Sequence, residues 1–154
     1  MKLYLVQHAK ATTEQQDPQR PLTEEAKRDM AKVVGFIGPL DLSVDALWHS
    51  GKKRAEQTAE FLAQAVKIET GPTARDGLAP NDDVTVLRDE LAASRHDIMI
   101  VGHMPSLSRL ASLLLTGTES ADTVAFKNGG VVCLQRNERN RWQIDWIVTP
   151  EILR

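Results

Sequence analysis

The chain has 154 residues, of which 42% are hydrophobic and 26% charged, with a formal net charge of −2. That length suits a single domain, residues 1–154, able to bury roughly 70% of its unfolded surface without disulfide or metal staples. The near-neutral balance gives no reason to expect nucleic acid or an anionic membrane as partner. No stretch reads as a leader or a membrane span, so a cytoplasmic protein is the default expectation.

Residues 2–7 read as a first strand, an apolar run with β-favouring Tyr4 and Val6 that ends abruptly at Gln7-His8. Residues 9–21 are polar, carry Pro18 and Pro21, and read as a loop. Thr23 is placed to cap a helix with Glu24 and Glu25 in its first turn, running to about Ile37 before Gly38-Pro39. Asp45 to His49 reads as a second strand. Ser50-Gly51 opens a second helix whose stripe of Ala55, Thr58, Ala59, Leu62 and Ala65-Val66 has helical spacing. Val66 to Glu69 reads as a third strand, and residues 71–81 as a loop. Asn81, Asp82 and Asp83 then favour a helix start, with Val84, Leu87, Leu91 and Ala92 on one face.

Ile98-Met99-Ile100-Val101 is the clearest buried strand, and Gly102-His103 ends it. Pro105 suits a first helical turn, and Leu107 to Leu115 continue as an apolar helix stopped by Gly117. Val124 to Phe126, Val131 to Gln135 and Trp142 to Val148 read as final strands. Asn128-Gly129-Gly130 and Asn137 to Asn140 read as hairpin turns between them. Cys133, the only cysteine, forms no intrachain disulfide and reads as a small buried hydrophobe. Strands alternating with helices, closing in a β-rich end, imply an α/β protein: a mixed sheet with helices on both faces.

His8 and His103 occupy equivalent places, each at the end of an apolar strand. If those strands are parallel neighbours, both imidazoles face one crevice, and ligands of open α/β sheets bind beyond the strands' carboxyl ends. The segment Ser50 to Thr58 runs from a strand end into a helix with a basic first turn. Unpaired N–H groups at such a helix start suit a phosphate, with Arg54 one turn in. Lys52 and Lys53 read as a solvated face.

Here the chain resembles a known family. Gln7-His8-Ala9, Arg20-Pro21-Leu22-Thr23, Ser50 to Thr58 and Gly102-His103-Met104-Pro105 stand in the order of four histidine phosphatase superfamily motifs. The match spans nearly the whole chain and most resembles the small SixA-type phosphohistidine phosphatases. The resemblance implies a phosphoglycerate mutase-like, three-layer αβα fold with a mostly parallel sheet of about six strands. It also implies that His8 attacks phosphorus and becomes a phosphohistidine. Arg54 and His103 would hold the non-bridging oxygens, with Arg20 a further phosphate or substrate contact. Neutral imidazole is the ordinary state of histidine near pH 7, and phosphoryl transfer depends mostly on positioning and charge. The resemblance calls for no metal or cofactor, and no metal-ligand spacing stands out.

One residue departs from the motif. Gln7 stands where the family has arginine. Losing a charge-assisted hydrogen bond of roughly 1.5–3 kcal/mol lowers the rate by roughly 10- to 150-fold. Lys10, Arg20 and His49 are candidates to replace the charge, although loop solvation is the simpler reading of Lys10 and His49. Gln7, Arg20 and Lys10 are thus the expected phosphate or substrate contacts beside His8, Arg54 and His103. A general acid could be Asp76, Asp82 or Asp83, with Asp82 and Asp83 better read as helix-start residues. A missing acid suits a P–N bond, because imidazole leaves more readily than an alkoxide.

These readings lead to a metal-independent phosphatase acting on phosphohistidine in a partner protein. The alternatives are a weak or inactive phosphohistidine-binding module and a small-molecule phosphomonoesterase. A dinucleotide-binding domain is disfavoured, since no glycine-rich loop follows the first strand.

Overall fold

The computed structural model describes all residues, Met1–Arg154. A six-stranded sheet forms its middle layer: β1 (Lys2–Gln7), β2 (Ala46–His49), β3 (Pro72–Ala74), β4 (Ile98–Gly102), β5 (Val131–Arg136) and β6 (Trp142–Val148). Their order is β3-β2-β4-β1-β5-β6. β1, β2, β3 and β4 pair in parallel, while β5 runs antiparallel to β1 and to β6. The expected mixed, mostly parallel α/β sheet is therefore found.

Strand alternation sorts the core into two. Tyr4 and Val6 of β1 join a cluster with Ala26, Met30, Val33 and Ile37 of α1 (Glu24–Ile37) and Ala55, Ala59 and Leu62 of α2 (Lys53–Leu62). Leu3 and Leu5 face the other way, against Val84, Leu87 and Leu91 of α3 (Val84–Ala93) and Leu107, Leu110 and Ala111 of α4 (Ser106–Thr116). Two helices on each face make the three layers. β4 is buried along its whole length because both faces are covered.

The local signals at helix ends work as read. Thr23 caps α1 by accepting from the Ala26 N–H at 3.0 Å. Asp83 caps α3 by accepting from the Thr85 N–H at 2.9 Å. Gly117 ends α4 in the left-handed region. The β5–β6 hairpin turns through Asn137 to Asn140, with Asn140 at φ 60°.

Three expectations need correction. Val66–Glu69 is not a strand of the sheet. Val66 packs into the α1/α2 core, and Lys67 makes only an isolated bridge to Ser43. The third strand lies at Pro72–Ala74 instead, along the edge beside β2. Gly71, at φ +70°, bends the chain there, and a proline opening an edge strand costs the ladder nothing. Val124 to Phe126 is likewise no strand, so the turn at 128–130 joins no hairpin. Val124 is apolar because it is buried in the α3/α4 core. The second helix begins at Lys53, past Gly51 at φ +88°, and ends at Leu62, with Ala65 and Val66 of its stripe in the turn that follows. No helix is long and apolar enough to cross a membrane.

Candidate active site

The carboxyl ends of the parallel strands β1, β4 and β2 lie together, and each is followed by a site residue: His8, His103 and Ser50. β1 and β4 are direct neighbours, with Gln7 opposite Gly102. The two imidazoles consequently meet, their ring centroids 4.9 Å apart and tilted by 49°.

Backbone hydrogen bonds fix the chain at His8. The Gln7 carbonyl accepts from the Gly129 N–H at 2.9 Å, and the His8 N–H donates to the Gly102 carbonyl at 3.0 Å. The His8 carbonyl accepts from Asn128 Nδ2 at 2.9 Å, and the Ala9 N–H donates to Thr58 Oγ1 at 2.9 Å. Gly129 is needed for this approach. It sits at φ +74°, and a Cβ there would meet Met30 Sδ at 3.1 Å. The His8 ring is fixed as well, Nδ1 lying 2.7 Å from the Ala9 carbonyl. A carbonyl only accepts, so Nδ1 carries the proton and Nε2 keeps its lone pair.

The segment Ser50 to Thr58 supplies more than Arg54. Ser50 Oγ lies 2.6 Å from His103 Nε2. Gln57 Oε1 accepts from the Leu22 N–H at 2.8 Å, tying down the loop that carries Arg20. Thr58, fully buried, accepts from Ala9 and donates to the Arg54 carbonyl at 2.8 Å. Arg20 stands in the left-handed region at φ 50°, and its Nε donates to the Thr12 carbonyl at 3.0 Å. Two buried nitrogens in the site have no partner within the protein, Arg54 Nε and His103 Nδ1. Buried polar groups are normally satisfied, so a bound anion is a natural partner for the Arg54 donor.

Positive charge predominates at the site. Burial pushes His103 down to about 3, and His8, Arg54, Lys52 and Arg20 add to the shift. His8 is lowered mainly by burial, opposed by its bond to the Ala9 carbonyl and reinforced by Arg54 and Arg20. Burial also lowers Arg54, with Arg20 pressing in the same direction and Glu14 opposing it. No carboxylate is among the charges that shift either histidine. The arrangement can hold a tetrahedral oxyanion beside a neutral imidazole. No group of three or more His, Cys, Asp or Glu side chains is placed to hold a metal ion.

The sequence candidates separate accordingly. His8, Arg54, His103 and Arg20 converge. Gln7 is half-buried at the last position of β1, beside His8. Lys10 points elsewhere: it is exposed and lies 3.8 Å from Glu25. His49 is neither solvated nor a spare charge. It is 5% exposed, and its Nδ1 accepts from the Gly51 N–H at 3.1 Å, bracing the turn that presents Ser50. Lys52 is exposed, as a solvated face expects, and its charge is among those that lower His103. Asp82 accepts from the Ala79 N–H at 2.9 Å and Asp83 caps α3, as helix-start residues do. Asp76 is exposed. Sequence reasoning gives Gln57, Thr58 and Asn128 no role in the site, with Thr58 read as part of the helix stripe and Asn128 as a turn residue. Gln57 and Thr58 stand inside a motif whose site reading rests on Arg54.

The chain's overall shape matches solved structures closely. The protein histidine phosphatase SixA, solved with tungstate, superposes with a TM-score of 0.83 at 19% identity, covering 99% of each chain. A protein from Agrobacterium tumefaciens named as a SixA phosphohistidine phosphatase gives 0.77 at 22% identity, covering 96% of this chain and 97% of that one. An Entamoeba histolytica phosphoserine phosphatase variant solved with phosphoserine gives 0.64 at 15% identity, with 97% and 98% covered. The fold is that of the histidine phosphatases. In sequence, the chain is 29% identical over 142 residues to an uncharacterized protein of Picosynechococcus sp. (strain ATCC 27264 / PCC 7002 / PR-6), covering 88% of this chain and 85% of the relative. No protein-family model matches the chain.

Proposed function

We propose that this histidine phosphatase-fold protein is a metal-independent phosphatase that removes phosphate from phosphohistidine on a partner protein. The observation that carries the reading is the His8 ring. Its Nδ1 proton is engaged by the Ala9 carbonyl, its Nε2 lone pair is free, and His103 stands 4.9 Å away. His8 Nε2 attacks phosphorus, forming a P–N bond as the bond to the substrate imidazole breaks. The leaving imidazole takes a proton from water and departs neutral, leaving hydroxide. A second water then attacks the phosphorus on His8 as that P–N bond breaks, and the inorganic phosphate released gives a proton to the hydroxide while the ring returns to its neutral form. Arg54, His103 and Arg20 face the oxygens on which charge is spread during both steps. The likeness to SixA and the four sequence motifs support the substrate class. The absence of a carboxylate among the charges acting on His8 and His103 supports it too, since an alkoxide would need a proton donor and imidazole needs less help.

Gln7 favours a second reading, a module that binds phosphohistidine without turning it over. Incubation with a phosphohistidine-bearing protein separates the two. The first reading expects phosphate release and an acid-labile phosphoryl group on His8. The second expects binding with neither, and no turnover above buffer would sink the enzymatic reading.

A further inference from the structure

Beyond the phosphate cradle, one cleft continues from the site. It has a volume of about 550 Å³ and runs from Ser50 along the 75–83 loop to α3. Ser50 belongs to both places, since it also contacts His103. Leu87 forms part of the apolar floor, and Val86 stands on the rim, 68% exposed. Val86 and Leu87 together give the cleft an apolar side. Met104, directly after His103, is also exposed, at 37%.

The charge of this cleft is opposite to that of the cradle. Asp76, Asp82 and Asp83 line it. Asp82 and Asp83 each accept a hydrogen bond from a backbone N–H, at Ala79 and Thr85. Its only basic residue, Arg75, is held by Glu90 through two hydrogen bonds of 2.9 and 2.8 Å and stacks on Trp48 at 4.1 Å. The cradle thus takes an anion while the neighbouring cleft repels one. A nucleotide or a polyphosphate extending past Ser50 into this cleft would meet carboxylates. A phosphorylated side chain followed by a basic and an apolar residue would meet the opposite charge and an apolar wall. Such alternation belongs to a polypeptide more naturally than to a small phosphate ester.

We propose that the cleft between Ser50 and α3 is the docking groove for the polypeptide segment flanking the phosphorylated residue, and that it selects a lysine or arginine there. This rests on the phosphohistidine reading and adds a specificity to it. Asp76 and Asp83 supply the attraction, Val86 the apolar contact.

Two peptides carrying a stable phosphonate mimic of phosphohistidine test it, one flanked by lysine and arginine, the other by glutamate. Calorimetry on the full chain should show the basic peptide binding about 5-fold tighter at low salt. The advantage should shrink as salt rises. In the double variant Asp76→Asn, Asp83→Asn the ratio should fall towards one. Asparagine still caps a helix, and an unchanged melting temperature verifies the fold. Equal affinity for the two peptides, tighter binding of the acidic one, or no binding of either overturns the proposal. So does a double variant that keeps the preference while losing rate equally on both cleavable phosphohistidine peptides, since the carboxylates would then serve the chemistry. Absence of turnover by the wild type sinks the enzymatic reading alone, because the binding ratio is read without it.

Discussion

The ends of β1 and β4 carry histidines at matching places in adjacent parallel strands, and the protein treats them in opposite ways. At His8 the backbone is fastened on every side, by Gly129, Gly102, Asn128 and Thr58, while the ring is only partly buried and keeps one nitrogen free. At His103 the ring itself is enclosed, 2% exposed, with Nε2 against Ser50 and Nδ1 without a partner. Under the proposed function, the first end holds the reacting atom in one position and the second holds a desolvated ring where charge collects. A shared sequence position therefore does not imply a shared role; the surrounding hydrogen bonds decide it.

Substitution of the two rings should break the symmetry most visibly. His8→Ala should lower phosphate release by about 10³-fold or more and abolish the acid-labile phosphoryl adduct. His103→Ala should lower kcat by about 10²-fold while still allowing the adduct to form on His8. An adduct surviving in His8→Ala, or lost only in His103→Ala, would reverse the assignment.

Gln7→Arg sharpens the β1 end. Restoring a charged fork beside His8 should raise kcat/KM on a phosphohistidine protein by roughly 10- to 150-fold. No gain, with little activity in either form, would point to the binding module instead.

Titration separates the rings by another route. His8 must be neutral to attack, and its folded value is lowered, so the acid limb of activity should lie below the usual 6.5. A limb at or above 6.5 would contradict the buried, cation-flanked setting. Stability follows His103. Above pH 6.5 the ring is neutral in the folded and unfolded chain alike, and its contribution is complete. As pH falls from 6.5 towards about 3, the unfolded chain takes the proton first, so the melting temperature should decline across that window. His8 shifts in the same direction and adds to the decline.

The smallest effect is expected at Asn128, which holds only the His8 carbonyl. Asn128→Ala should lower kcat by roughly 2- to 12-fold, the loss of one hydrogen bond, with KM unchanged. A change in KM alone would mean that Asn128 touches substrate and does not position His8.

Much of this was legible from residues alone. The apolar runs ending in His8 and His103 marked two strand ends, and Thr23, Asp83 and Gly117 marked helix boundaries through their own side chains or backbone freedom. Val66–Glu69 and Val124–Phe126 misled for a common reason: a short apolar run reports burial, and burial alone does not distinguish pairing from packing. Pro72 misled in the other direction, since whether proline breaks a strand depends on which edge is free.

The sequence by itself determined five of the six strands and the four helices, the two-faced core and the residue types of an anion site, because periodicity, capping and side-chain chemistry act locally. Only the tertiary structure decided that β1 and β4 are neighbours, that His49 braces a turn, that Lys10 stands apart, and that Asn128 reaches His8 across 120 positions of chain. Those outcomes depend on strand order and on long-range hydrogen bonds, which bring together groups whose own neighbours in sequence carry no record of the meeting.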